Sequence, residues 1–456
     1  MWWLIACSGD QTLPGTGQGG VPACEAPLPA HETPVEGLQF DGEPPQSLLL
    51  VVLDTLRRDT VAAYNPSLPT MPCLQSRSDH LVRFDNAFAV GSWTGINTAS
   101  MMTGLLPENH GLLRVDSQAG EPELDDPFTA PTFASHLQEQ GYTTALVSGN
   151  PWVSEAGGFA QGFDHYTADP GAWGHTDAAA LSAEVRSLLA GIEAPFFLHW
   201  QPVDNHYPYL PPEPYRDAFV DTDAYPWPVT YAEQESILAQ YAWASAGDQD
   251  AMRTWLAGLY AAETLSADAE IDGVIADLEA TGRLDDTLVV VTADHGETLD
   301  DDGSGYFGHG SSLRGELVNL PLLAYHPRLR PGTVSTLLRT TDVIPVALSA
   351  MGVAIPGDTE ASVAGHDFAY GVRFPNDDDA LEVVEAYAQA DGVKVVRDCR
   401  ATSVAAYDLA ADPAEASPAW DLATVPGAAA LARALDAQLS LLQAGADRYT
   451  PCLASD

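Results

Sequence analysis

Three short stretches hold the residues best suited to chemistry. SLLLVVLD (47–54) ends in Asp54, and TLVVVTADHG (287–296) carries Asp294 and His295. Each acid follows an unbroken apolar run, the pattern of a strand buried on both faces of a sheet. Ligands bind at the carboxyl edge of a parallel sheet, because loops and helix N-termini converge there. Two carboxylates and a neutral imidazole at that edge form a donor set for a divalent ion, suiting Zn, Mn, Mg or Ca in different proportions. Taken singly, an Asp at a strand end is a cap or turn residue; the combination is far more specific. The third stretch, GSWTGINTASMMTG (91–104), places Thr94 at a strand-to-helix turn. A hydroxyl at a helix N-terminus faces unsatisfied amides that favour an anion beside it. The alternative for Thr94 is a simple N-cap, a favoured position for threonine.

The elements that must position these groups follow from further apolar runs: TTALVSGN (143–150), FFLHWQPVDNH (196–206) and LPLLAYHP (320–327). Helical patterns lie between them. PTFASHLQEQG ends on Gly141, and Leu265, Ile271, Ile275 and Leu278 recur at helical spacing up to Gly282. Alternating strands and helices predict an α/β fold with a central, largely parallel sheet between helices. Residues 213–258 carry Tyr225, Trp227, Tyr231, Tyr241, Trp243 and Trp255, which fits either a lid or a helical insertion with an aromatic core. From about residue 380 the texture changes to a small sheet-plus-helix subdomain. The expected organisation is a signal at 1–7, a Gly/Pro-rich tether at 8–46, a catalytic domain at 47–370 and a C-terminal subdomain at 371–456.

Composition narrows the partners. The 456 residues include 64 acids against 19 Lys and Arg, a formal charge of −45, and Lys394 is the single lysine. Such a surface repels nucleic acid and anionic lipid. A pocket for an anionic substrate must override that field locally, with a metal or arginines. The opening MWWLIACSGD resembles a bacterial lipoprotein signal ending at a lipidated Cys7, although its apolar run is short and lacks a basic flank; the alternative is a frayed apolar terminus. The lipoprotein reading predicts export and attachment to the bacterial envelope, in the periplasm or at the cell surface. Setting Cys7 aside leaves Cys24, Cys73, Cys399 and Cys452, an even number that suggests two disulfides in an exported chain. Four buried thiols are the alternative.

Read together, these segments resemble the sulfatase family of the alkaline phosphatase superfamily. VVLDTLRRDTVAAYN is similar to the family's opening strand and turn, and SWTGINTASMMTG to its nucleophile motif. GYTTALVSGNPW, PVDNHYPYLPPEPY, TADHGETL with GHGSSLRGELVNLPL, and VAAYDLAADPAEA follow in the family's order, so the resemblance spans about 48 to 445. It implies that Asp54, Asp294 and His295 bind one divalent ion and that Thr94 is the nucleophile and also touches that ion. It implies that His206 contacts the substrate or protonates the leaving group. His309 falls where sulfatases place a substrate-binding Lys or His. Asp204 and the run Asp300–Asp302 read as solvated loop residues.

The departures redirect the chemistry. Sulfatases oxidise a motif Cys or Ser to formylglycine, and the motif's Pro and Arg are here Ile96 and Thr98. Thr55 stands in place of the second acidic ligand, and Asn150-Pro151-Trp152 replaces the family's Lys-x-His. In relatives acting on phosphorus, an unmodified Ser or Thr attacks directly. The expectation is therefore a metal-dependent hydrolase of anionic esters with Thr94 as direct nucleophile. Phosphate mono- or diesters are favoured over sulfate esters, with a small-molecule, glycan or lipid ester as substrate. The alternatives are a sulfuric ester hydrolase, a phospho-headgroup transferase of the envelope, and an inactive glycan- or glycolipid-binding module.

Overall fold

The structure is a computed structural model that describes residues 33–112, 128–168, 177–374 and 383–443. The expected signal with Cys7, the first part of the tether, Cys24 and Cys452 lie outside the described residues. The strands of the first half are β1 (Ser47–Leu53), β2 (Leu81–Phe84), β3 (Ala87–Phe88), β4 (Thr143–Ser148), β5 (His165–Ala168) and β6 (Phe196–Gln201). They are followed by β7 (Thr287–Ala293), β8 (Thr298–Leu299), β9 (Phe307–Gly308), β10 (Asn319–Leu320), β11 (Leu322–Tyr325), β12 (Gly332–Val334) and β13 (Leu338–Arg339). Eight of them form the central sheet, in the order β12-β2-β11-β7-β1-β6-β4-β5.

β1 and β7 read SLLLVVL and TLVVVTA and are buried at every position. They sit side by side in the middle of the sheet, so neither face is left to water and no alternation develops. Their parallel register pairs Ser47 with Thr287 and Leu53 with Ala293. The next residue on each strand is Asp54 or Asp294, so the register sets the two carboxylates side by side. β1 also pairs in parallel with β6, and β6 with β4. β11 departs from the parallel pattern, running antiparallel to both β7 and β2.

Helix α1 (Pro72–Ser76) precedes α2 (Thr94–Thr103), α3 (Pro107–His110), α4 (Phe133–Glu139) and α5 (Ala178–Gly191). α4 ends as the sequence implies, with Gly141 at φ 87°, a left-handed position that glycine takes at no steric cost. The aromatic segment forms α6 (Tyr231–Tyr241) and the first turns of α7 (Ala246–Ala280), and so is a helical insertion with an aromatic core. Tyr209, Tyr241, Trp255 and Tyr260 are buried there with Leu256 and Leu259, while Trp243 is 89% exposed. α7 is locked to α5 by Arg186, which pairs with Asp277 and Glu270.

After α8 (Gly315–Val318) and α9 (Val343–Ala350), the chain forms an antiparallel sheet of β14 (Ala369–Arg373), β15 (Glu385–Ala390), β16 (Val393–Asp398) and β17 (Ser403–Asp408). Helix α10 (Ala428–Gln443) covers it through Leu435 and Leu439, which pack with Tyr370, Val372 and Val395. Upstream of β1, Pro34 bridges Thr333 and Phe40 bridges Leu329, so residues 33–46 are laid against the β11–β12 edge.

Two acids expected in solvent are not there. Asp204 is buried and accepts the Ala178 amide at 2.6 Å, at the start of α5. Asp300 is buried and accepts from the Tyr241 hydroxyl at 2.5 Å, with Arg253 at 3.3 Å. Asp301 takes both Arg57 terminal nitrogens, at 2.7 and 2.9 Å. Donors brought by distant elements hold these acids, and local sequence does not show them. Cys73, buried in α1, and Cys399, just after β16, are both engaged rather than free. No helix among the described residues is long and apolar enough to cross a membrane.

Candidate metal and nucleophile site

Asp54, Asp294 and His295 come together at the carboxyl edge of the central sheet, each 0% exposed, with ligand atoms all within 4.8 Å of one another. His295 Nε2 lies 3.9 Å from Asp54 Oδ1 and 3.6 Å from Asp294 Oδ2. His295 Nδ1 is 2.8 Å from the Gly296 carbonyl, which can only accept, so Nδ1 carries the proton. The Nε2 lone pair is thereby turned into the site, as a metal ligand requires.

Thr94 joins them. It is the first residue of α2, and the N-cap position belongs to Trp93, whose side chain makes no cap. The cap explanation for Thr94 therefore fails. Its Oγ1 lies 3.4 Å from Asp54 Oδ1 and 3.3 Å from His295 Nε2, and the residue is 2% exposed. The helix it opens is buried at every position, and Gly104 closes it at φ 69°.

The electrostatics call for a cation. Burial raises Asp54 well above the ordinary carboxylate range, and repulsion from Asp294 adds to it. Burial likewise lifts Asp294 to about 6, against the Thr55 and His295 amides that stabilise its charge. Burial, then the neighbouring His309, holds His295 well below the ordinary histidine value. Among the described residues no Lys or Arg pairs with either acid. Two desolvated carboxylates and an imidazole lone pair, without a cationic side chain, fit a divalent ion.

Three residues outside the expected site set complete the arrangement. Asn150, two residues past β4, donates to Asp54 Oδ2 at 2.5 Å and to Thr94 Oγ1 at 3.2 Å. Gln201, the last residue of β6, reaches Asp294 Oδ2 at 3.4 Å and Thr98 Oγ1 at 3.3 Å. Both stand at the strand ends that singled out Asp54 and Asp294, so the same signal could have found them. Glu297, 0% exposed, places Oε1 at 3.2 Å from His309 Nδ1 and Oε2 at 3.4 Å from the Tyr207 amide. It links the segment after His295 to the candidate His309 and to Tyr207, the neighbour of the candidate His206.

Those candidates, His206 and His309, line up beside His295. The ring centroids of His309 and His295 are 4.5 Å apart, and those of His206 and His309 are 4.9 Å apart. Burial works against a charged His309, but Glu297, with Asp54 and Asp294 behind it, outweighs burial and raises its pKa. His206 Nδ1 is 2.6 Å from the Tyr207 carbonyl, so it too carries the Nδ1 proton. Thr55, where a second acid was missing, sits at φ 56° and donates its amide to Asp294 Oδ1 at 3.2 Å. The left-handed conformation is uncommon for a β-branched residue. Tyr260 holds it there, donating to the Thr55 carbonyl at 2.7 Å.

The comparisons with known proteins bear on the family and the fold. The family model described as Sulfatase matches residues 46–353. The N-acetylglucosamine-6-O-sulfatase of Bacteroides thetaiotaomicron is 23% identical over 402 residues, covering 69% of each chain. A structure solved in complex with its substrate, D-glucosamine-2-N,6-O-disulfate, superposes with a TM-score of 0.70 at 18% identity, over 89% of this chain and 99% of that one. The phosphonate monoester hydrolase of Agrobacterium radiobacter superposes with a TM-score of 0.66 at 20% identity, over 88% of this chain and 95% of that one. At such identities the superpositions show a shared fold.

Proposed function

The chain belongs to the sulfatase family and is a hydrolase acting on ester bonds, and we propose that it uses Thr94 as a direct nucleophile, with phosphate mono- or diesters preferred over sulfate esters. One observation carries this reading. A hydroxyl, Thr94 Oγ1, stands within 3.4 Å of Asp54, His295 and Asn150 at the carboxyl edge of the sheet. The Pro and Arg of the oxidation motif are replaced by Ile96 and Thr98. The single lysine, Lys394, is buried in the C-terminal sheet against Glu415, so no lysine serves this site. A phosphonate monoester hydrolase among the structural neighbours is consistent with chemistry at phosphorus.

Asp54, Asp294 and His295 would hold one divalent ion beside Thr94 Oγ1. When bound, it supplies positive charge that lowers the pKa of the hydroxyl and screens the ester's charge. The chain's own residues do the rest. Asn150 donates to Thr94 Oγ1 and so leaves its proton to the two acceptors, Asp54 Oδ1 at 3.4 Å and His295 Nε2 at 3.3 Å; with the His295 lone pair turned to the ion, Asp54 takes it. The Oγ1–phosphorus bond forms as the bond to the leaving oxygen breaks, and His206, entering the step with both ring nitrogens protonated, gives its Nε2 proton to that oxygen while Nδ1 keeps its bond to the Tyr207 carbonyl. His309, held by Glu297, contacts the anionic group. Water, or another acceptor, then releases the phosphoryl group from Thr94.

Sulfate esters are the second reading, supported by the relative named as an N-acetylglucosamine-6-O-sulfatase. A hydrolysis screen decides between the two. Purified chain is assayed with aryl phosphate, bis-aryl phosphate, phosphonate and sulfate esters in Ca, Mn, Zn and Mg. The expected result is fastest turnover of a phosphate ester. Fastest turnover of the sulfate ester overturns the preference, and silence toward every ester favours a binding module. In the same reading the chain is exported and anchored through a lipidated Cys7.

A further inference from the structure

Lys394 is 0% exposed on β16, with its charge committed inside the C-terminal sheet. Its Nζ lies 2.9 Å from Glu415 Oε1 and 5.3 Å from the centre of the Tyr387 ring. Glu415 is buried too, and the same Oε1 accepts the backbone amide of Gly315 at 2.8 Å. Gly315 opens α8, and a Cβ there would lie 2.9 Å from both Glu415 Oε1 and Asn319 Nδ2, so an added methyl would press on the carboxylate that accepts its amide. Arg314 adds two bonds to the same turn, to the Glu415 carbonyl at 3.2 Å and the Ala414 carbonyl at 2.6 Å.

α8 in turn touches both arms of the catalytic site. The Leu317 carbonyl accepts from the amide of Gly296, next to His295, at 2.9 Å. A Cβ on Gly296 would fall 1.9 Å from the Glu316 carbonyl, so the two backbones are pressed together. The Val318 carbonyl accepts from the amide of Ala89 at 2.8 Å, on the stretch that leads into Thr94. The C-terminal sheet grips that stretch from its own side as well. Tyr387 donates its hydroxyl to the Ala89 carbonyl at 2.7 Å, and the Val372 amide donates to the Val90 carbonyl at 3.0 Å.

We propose that Lys394, acting through Glu415 and α8, is a positioning residue for Thr94 and His295, and that the C-terminal sheet is thereby a working part of the catalytic site. Without the lysine, Glu415 keeps a buried carboxylate whose main partner is gone, and removing one member of a buried pair is far more disruptive than removing both. The carboxylate must then move toward water, and Gly315 loses its acceptor. Small displacements of a reacting group cost rate steeply, while remote substrate contacts are unaffected.

The test uses the full chain and rests on Thr94 being the catalytic group. Lys394→Met should lower kcat about tenfold or more with KM within about threefold. Amide exchange should quicken in 294–297 and 314–318 while β1 and β6 stay protected. Adding Glu415→Gln to Lys394→Met should restore kcat to within about threefold, because the amide oxygen still accepts from Gly315 and no charge is stranded. Gly315→Ala, which keeps the lysine but presses a methyl on the Glu415 carboxylate and the Asn319 amide, should reproduce the kcat loss even if Lys394→Met does not fold. Wild-type kcat and exchange in Lys394→Met, wild-type kcat in Gly315→Ala, or a kcat loss that the double variant does not relieve, overturns the proposal. Exchange needs no substrate. A wild-type chain inert toward every ester, with exchange responding as described, would sink the reading of Thr94 and leave the linkage standing.

Discussion

Asn150 donates its side-chain amide to Asp54 at 2.5 Å. The same nitrogen reaches Thr94 Oγ1 at 3.2 Å, so one amide fixes the carboxylate and the hydroxyl relative to each other. Replacing Asn150 by Ala should therefore lower kcat by about tenfold to a hundredfold with little change in KM. Its side chain is buried, so a melting curve must accompany the kinetics. Unchanged kcat in a folded Asn150→Ala protein would remove Asn150 from the site.

A second expectation concerns metal stoichiometry. Thr55 occupies the place of a second acid, and the candidate ligand set among the described residues is Asp54, Asp294 and His295. One tightly held divalent ion per chain is expected, with turnover lost on chelation and restored on addition. An ion bound only by the folded state, at a hundred times its Kd, stabilises it by about 2.7 kcal/mol. Chelation should thus lower the melting temperature as well as the activity. Two stoichiometric ions per chain, both needed for turnover, would contradict this.

Stability should respond to pH through Glu108. Both its carboxylate oxygens are buried without a side-chain partner among the described residues, and burial, then Glu360, lifts its pKa from 4.5 to about 8. Between those values the folded chain keeps a proton that the unfolded chain has lost. Stability therefore falls as pH rises from about 4.5 to about 8, and flattens above. Glu108→Gln has no proton to lose and should be more stable than wild type at pH ~8.5, on the order of 2 kcal/mol for a partly exposed residue. Near pH ~4.5 the two should be alike. Denaturant titrations at the two pH values check this, and an equal difference at both would exclude the mechanism.

Much of this site was legible because its scaffold is simple. Continuous apolar runs identify β1 and β7, and the acids that follow them fall together because Leu53 pairs with Ala293. The direction of β11 was not legible, since four buried residues read alike in either sense. Asn150 and Gln201 stand at strand ends like the two acids, but a neutral amide is a weaker signal until its partners are known. Glu297 lies two residues past His295, yet its partner His309 arrives only through the loop that β8 and β9 close. The burial of Asp204 and Asp300 depends on donors from α5, α6 and α7, which no local pattern announces.

Export predicts a behaviour of the cysteines. If Cys7 is lipidated, the chain partitions into detergent, and Cys7→Ser abolishes that partition. In the same chain Cys24, Cys73, Cys399 and Cys452 should form two disulfides, so alkylation without reductant should label none of them. Four alkylatable thiols in wild-type protein recovered from the soluble cytoplasm would contradict both the anchor and the disulfides.

Thr94 gives the sharpest expectation. Its hydroxyl is buried, faces Asp54 and His295, and does not cap its own helix. Thr94→Ala should abolish ester turnover, a loss of several orders of magnitude, because no other group takes over the attack. Folding and metal binding should persist, since Asp54, Asp294 and His295 remain. Thr94→Ser keeps the hydroxyl and loses only a methyl, so it should retain measurable activity. The small void costs about 1 kcal/mol, too little to unfold the domain. Intact-mass analysis of native protein should show Thr94 unmodified, because the hydroxyl itself attacks and no aldehyde is formed. An active Thr94→Ala chain, or an oxidised residue at position 94, would overturn direct attack by threonine.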